Sequence, residues 1–175
     1  MPSLRVLIPE EKIQARIAEL AAEIDRDYPE GPVYLVGILK GSYIFLADLA
    51  RAMKTATRIE FVGVASYGRG KTSSGEVKLT KDLDHSLEGR DVIVVEDILD
   101  SGVTLTYLLH VFQGRKPKSL RIATFLDKPE RRLRPVKVDY VGFRVPDEFL
   151  VGYGLDFAED YRNLRDVCVL SETPS

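Results

Sequence analysis

The sequence predicts an α/β fold, a mostly parallel central sheet flanked by helices, on three observations. Short runs rich in β-branched residues alternate with amphipathic stretches along the chain. The clearest runs, VYLVGIL at 33–39, DVIVV at 91–95 and SLRIATFL at 119–126, are nearly continuous in apolar residues, as strands buried on both faces are. Each run ends in a loop of small or charged residues, and in open parallel sheets ligands bind at loops leaving the carboxyl ends of strands.

Taken in order, residues 9–28 read as a helix. Ile13, Ile17, Leu20, Ala21 and Ile24 fall at helical spacing, and Glu10 and Glu11 lie near its start, where negative charge is favourable. Pro29 and Gly31 then punctuate the chain. The strand at 33–39 leads through Lys40-Gly41-Ser42 into a helix over 43–53. A strand spans 57–67, and residues 68–75 (GRGKTSSG) read as a mobile loop, because alternation resumes only at Val77 and Leu79. The strand at 91–95 precedes a helix over 104–112. The strand at 119–126 and a short one at 138–141 follow, and the tail from Pro146 is a compact, aromatic-bearing segment. No internal repeat or long linker divides the chain, so a single domain is expected.

Composition narrows the function classes. The 175 residues are 45% hydrophobic and 30% charged, with 25 basic against 27 acidic residues and a formal net charge of −2. That balance provides no global basic field for nucleic acid. Cys168 is the one cysteine, which excludes an intramolecular disulfide and a cysteine-based zinc site. His85 and His110 are too few for a histidine-rich metal site. No secretory signal is apparent at the start, and no apolar stretch approaches the about 20 residues that span a bilayer. A cytoplasmic location is the expectation.

The chemistry concentrates in VIVVEDILDSGVTL at 92–105. Consecutive carboxylates, Glu96 and Asp97, can accept hydrogen bonds from a vicinal diol such as that of a ribose. Asp100 follows, then Ser101-Gly102-Val103-Thr104 running into a helix. Such a loop offers backbone N–H groups and hydroxyls to a phosphate. Asp100 then lies between the diol and phosphate sites, where a sugar's anomeric carbon sits. Taken apart, the pieces are ordinary, an acidic residue ahead of a helix being a common N-cap and Ser-Gly a common turn. The string is not a P-loop, since no Gly-Lys-Ser/Thr ending is present, and one glycine is too few for a dinucleotide motif.

This string resembles the motif that binds phosphoribosyl pyrophosphate (PRPP) in type I phosphoribosyltransferases. The rest of the chain, from about 33 to 169, is similar to their hypoxanthine-guanine branch. Four further segments carry the resemblance: Leu39-Lys40-Gly41-Ser42, Ser66-Tyr67 with the stretch after it, Lys128, and VPDEFLVGYGLDFAEDYRNL at 145–164. The resemblance implies a core over residues 30–143 and a small hood from 1–10 and 144–175. It implies PRPP ribose and phosphate binding by Glu96, Asp97, Asp100, Ser101, Gly102, Val103 and Thr104, with Asp100 catalytic as general base. Lys40, Gly41, Ser66, Tyr67 and Arg162 take the pyrophosphate, and closure of the Ser66-Tyr67 loop excludes water. Lys128 donates to the purine O6, Phe149 stacks on the ring and the Leu150 backbone meets its edge. Mg²⁺ is the implied cofactor, with Glu96, Asp97 and Asp156 as its protein contacts. Ser101 stands where many relatives have Thr, and Leu150 where Val or Ile is common.

The implied reaction is purine salvage: transfer of the 5-phosphoribosyl group from PRPP to N9 of hypoxanthine or guanine. The implied assembly is a homodimer or homotetramer, with no nucleic-acid or membrane partner. Two alternatives stay open at this point, a xanthine-preferring enzyme and a PRPP-binding nucleic-acid regulator on the same fold. A donor at Lys128 weighs against adenine, whose C6 carries an amino group.

Overall fold

The computed structural model describes residues 2–67 and 76–172. A six-stranded sheet runs in the order β4-β3-β2-β5-β6-β7. Its strands are β2 (Val33–Ile38), β3 (Thr57–Tyr67), β4 (Glu76–Lys81), β5 (Asp91–Leu99), β6 (Ser119–Asp127) and β7 (Tyr140–Arg144). Strands β3, β2, β5, β6 and β7 are parallel, and β4 pairs antiparallel to β3. A second sheet of three strands, β1 (Pro2–Ile8), β9 (Val167–Glu172) and β8 (Leu150–Val151), joins the two ends of the chain.

Period-two alternation decides how the helices pack. Val33, Leu35, Ile93, Val95, Ala123 and Phe125 point to one face of the large sheet, where α1 (Glu10–Asp27) and α2 (Tyr43–Ala52) cover them. Val36, Ile38, Val92, Val94 and Ile122 point to the other, under α3 (Val103–Gln113). The five residues at helical spacing in α1 are all buried, as expected. Ile8, Leu150, Val167 and Val169 of the small sheet join the same apolar cluster as α1 and α2, so both sheets share that core.

Several boundaries differ from the sequence reading. The strand expected to stop at residue 95 continues to Leu99, because Glu96, Ile98 and Leu99 keep pairing with Thr124, Leu126 and Asp127 of β6. Glu96 and Asp97 are thus strand residues, not loop residues. The strand expected at 138–141 begins at Tyr140 instead. The Asp139 side chain accepts the Ile122 N–H at 2.9 Å, and its own N–H donates to the Ile122 carbonyl at 3.0 Å, which delays the regular ladder. Residues 2–8, given no element from sequence, pair antiparallel with β9. The loop expected at 68–75 lies outside the described residues. No helix among the described residues is long and apolar enough to cross a membrane.

Ile17, at 2% exposure, packs in the shared core. Ile17→Ala should cost about 2–5 kcal/mol, the range for emptying such a site. Urea unfolding should show a lower midpoint at unchanged slope.

Candidate active site

Parallel pairing sends the carboxyl ends of β2, β3, β5 and β6 to one edge of the sheet. Lys40-Gly41, Ser66-Tyr67, Glu96 to Asp100 and Lys128 therefore gather there. Ser66 and Tyr67 close β3, with their backbones opposite Val77 and Glu76 of β4.

At the end of β5, Glu96 is 9% exposed. Its Oε1 accepts the Asp97 N–H at 3.0 Å, and Asp97 Oδ1 accepts the Ile98 N–H at 2.7 Å. Burial first, and the neighbouring Asp97 charge second, push the Glu96 carboxyl well above the usual range. The Asp97 carboxylate also meets the β2 loop. A Cβ placed on Gly41 would lie 1.8 Å from Asp97 Oδ2, so any side chain at that position would displace the Asp97 carboxylate.

Beyond β5 the chain turns into α3 around a cavity of about 80 Å³, walled by Glu96, Ile98, Asp100, Ser101, Gly102 and Thr104 among others. That volume accommodates roughly two or three waters, or one phosphoryl group. Ser101 Oγ accepts the Val103 N–H at 3.3 Å, while the rest of the first helical turn presents amides that no intrahelical carbonyl reaches. The turn is fixed from outside: the Ser101 carbonyl accepts the Leu133 and Arg134 N–H groups at 2.8 and 3.0 Å.

The C-terminal segment closes on the β2 loop. A Cβ on Gly154, at φ 100°, would lie 2.2 Å from the Gly41 carbonyl oxygen. Arg162 Nη1 donates to the Gly154 carbonyl at 2.7 Å, and the Gly154 N–H returns a bond to the Arg162 carbonyl at 3.0 Å. Arg162 also lies 3.4 Å from Asp156 and from Glu159, and Lys40 Nζ reaches Glu159 Oε2 at 3.1 Å. Lys40, Asp156 and Arg162 are thus gathered around Glu159, a residue the sequence reading passed over. Arg162 Nε is buried with no acceptor among the described residues, which leaves one donor of this cluster unused.

The residues expected at a purine divide between the end of β6 and the small sheet. The Lys128 N–H donates to the Leu99 carbonyl at 2.9 Å, which joins the ends of β6 and β5 next to Asp100. Phe149 is 51% exposed and therefore not a core residue. Phe157, 48% exposed, meets its ring edge-on at 5.6 Å between centroids. Leu150 is buried and pairs with Val169. Sequence reasoning also missed the arginines around Asp100. Arg131 Nε donates to Asp100 Oδ1 at 3.2 Å, and Arg132 Nε donates to the Asp100 carbonyl at 3.2 Å while its Nη2 pairs with Asp127. The run Asp127-Lys128-Pro129-Glu130-Arg131-Arg132, charged and directly after a core strand, was the available signal.

Among the described residues no group of three or more His, Cys, Asp or Glu side chains is placed to hold a metal ion. Glu96, Asp97 and Asp156 therefore do not form one protein cage. The Glu96–Asp97 pair still fits a divalent cation, because two adjacent carboxylates, one of them buried, carry charge that a cation would offset.

The buried Glu96 has a consequence for stability. A carboxyl raised in the folded state stabilises fully below its unfolded value, and that contribution is lost as pH rises through the folded value. Glu96→Gln keeps the acceptor for the Asp97 N–H and removes the charge. It should therefore raise the melting temperature by a few degrees at neutral pH, with the gain shrinking toward pH 4. A lower melting temperature at neutral pH would contradict this.

The phosphoribosyl transferase domain family matches residues 8–158. The chain is 52% identical over 166 residues to the hypoxanthine-guanine phosphoribosyltransferase of Bacillus subtilis, covering 95% of this chain and 92% of that protein. It is 50% identical over 166 residues to the bifunctional protein TilS/HprT of Listeria monocytogenes, covering 95% of this chain but 26% of that longer relative. The crystal structure of a hypoxanthine phosphoribosyltransferase from Staphylococcus aureus superposes with a TM-score of 0.92 at 48% identity, covering 95% of this chain and 91% of that one. With the motif after β5, the matched fold and this identity over nearly its whole length, the chain belongs to the phosphoribosyl transferase family of enzymes, in its hypoxanthine-guanine branch.

Proposed function

We propose that the chain transfers the 5-phosphoribosyl group of PRPP to N9 of hypoxanthine or guanine, giving the purine nucleotide and pyrophosphate. The observation that carries this reading is the cavity of about 80 Å³ at the head of α3, with Glu96 and Asp100 both in its wall. A phosphoryl group in that cavity leaves the attached ribose beside the Glu96 and Asp97 carboxylates. Ser101, Gly102, Val103 and Thr104 hold the phosphate by backbone N–H groups and hydroxyls.

The C1′–oxygen bond to pyrophosphate breaks, the pyrophosphate leaving with the electron pair, as the C1′–N9 bond forms. Asp100 accepts the proton from purine N7 as N9 attacks. Developing charge on pyrophosphate is met by Lys40 and Arg162, which give up Glu159 to do so, and by the amides around Gly41. Ser66 and Tyr67 belong to the segment that closes over this side and excludes water from PRPP. Lys128 donates to O6, Phe149 stacks on the base and the Leu150 backbone meets its edge. Mg²⁺, when bound, supplies charge neutralisation at the phosphate oxygens, with Glu96, Asp97 and Asp156 as the protein's contributions. The same reading expects a single folded domain, a homodimer or homotetramer, and a cytoplasmic location.

Asp100→Asn should lower kcat by about 10²–10⁴, the usual worth of a general base, with the KM for PRPP nearly unchanged. Equal losses in kcat and in PRPP affinity would make Asp100 a binding residue only. Lys128→Ala should raise the KM for 6-oxopurines selectively, and an unaltered purine preference in steady-state assays would remove Lys128 from the base pocket.

A further inference from the structure

Tyr153 lies outside every role given above, yet its placement is costly. It has φ of 52°, which L residues rarely adopt, and its side chain is 4% exposed. The ring packs on Phe125 at 4.8 Å between centroids. Its hydroxyl donates to Asp48 Oδ2 on α2. Gln14 Nε2, from α1, donates to the same oxygen at 3.2 Å. The Tyr153 N–H bonds the Leu164 carbonyl at 2.9 Å. One side chain thus ties the C-terminal segment to the helix that begins directly after Lys40-Gly41-Ser42.

The next residue, Gly154, contacts the Gly41 carbonyl and exchanges hydrogen bonds with Arg162. We propose that Asp48 and Tyr153 are positioning residues for the leaving-group half of the site: their hydrogen bond sets the spacing between the Lys40-Gly41 loop and the Asp156–Arg162 arm. This rests on the proposed phosphoribosyl transfer, in which those two parts take pyrophosphate together. Burial and the Asp48 hydrogen bond raise the Tyr153 hydroxyl far above its ordinary value, so it remains a donor throughout the working pH range. Left-handed backbone at a buried tyrosine is strain that the surrounding contacts must hold in place. On the purine side, the Lys128 N–H donates to the Leu99 carbonyl and the Phe149 carbonyl accepts the Leu170 N–H, contacts that do not involve the Tyr153 hydroxyl.

Tyr153→Phe removes the hydroxyl and keeps the ring. Asp48 retains Gln14 and opens onto a cleft of about 240 Å³ between α1, α2 and the C-terminal segment, from which water can reach it, so the variant should fold. Calorimetry with magnesium pyrophosphate should show binding about five- to tenfold weaker, the scale of one lost hydrogen bond. The KM for PRPP should rise in parallel, and the KM for hypoxanthine should stay within about twofold of wild type. Asp48→Asn keeps an oxygen acceptor and should restore near wild-type values. Asp48→Leu should reproduce Tyr153→Phe, and combining the two should add little.

Unchanged pyrophosphate affinity in Tyr153→Phe, beside normal wild-type binding, overturns this inference alone. Equal rises in both KM values together with a lower melting temperature also overturn it, since the pair is then only structural. A wild-type chain that binds neither pyrophosphate nor PRPP overturns the proposed function, and this inference with it.

Discussion

Three parts of the chain meet at Gly41 with no side chain between them. The Asp97 carboxylate occupies the place a Cβ would take, and Gly154 comes against the Gly41 carbonyl oxygen from the C-terminal segment. This approach follows from strand order. Strands β2 and β5 are neighbours in the six-stranded sheet, so their loops leave it about 4.8 Å apart. A loop on β2 with any side chain at position 41 would push the β5 carboxylate away from the place where the ribose and phosphate residues assemble. The site's compactness therefore depends on one contact between backbone and carboxylate.

Charge at the site is largely paired within the protein. Lys40 and Arg162 meet Glu159 and Asp156, while Arg131 meets Asp100 and Asp147. Most of these side chains are well exposed, and exposed pairs contribute little to stability. They can be exchanged for substrate oxygens at small cost. Glu96 is the exception, a buried carboxyl whose nearest charged neighbour is another carboxylate. A site arranged this way favours an incoming polyanion that brings its own cation.

What could be read from the sequence was local. The α1 stripe, the three core strands and the Glu96 to Thr104 string each carry their signal within a dozen residues, and the structure buries the stripe and forms the three strands, with the one read at 91–95 running on to Leu99. The pairing of β1 with β9 joins Pro2 to Glu172, and no local pattern specifies a partner that distant. The extension of β5 through two carboxylates was hidden because polar residues at a strand end look like loop, while the ladder to β6 is set by the neighbour. Tyr153 is flanked by two glycines, and its left-handed backbone and bond to Asp48 exist only once α2 is packed. Phe149 could as well have been core by composition. Its exposure beside Phe157 is a fact of tertiary structure.

The most direct measurement is turnover of hypoxanthine, guanine, xanthine, adenine and uracil, each offered separately with PRPP and Mg²⁺. The account predicts robust conversion of hypoxanthine or guanine, with adenine and uracil idle. Tight PRPP binding with no base converted would contradict it.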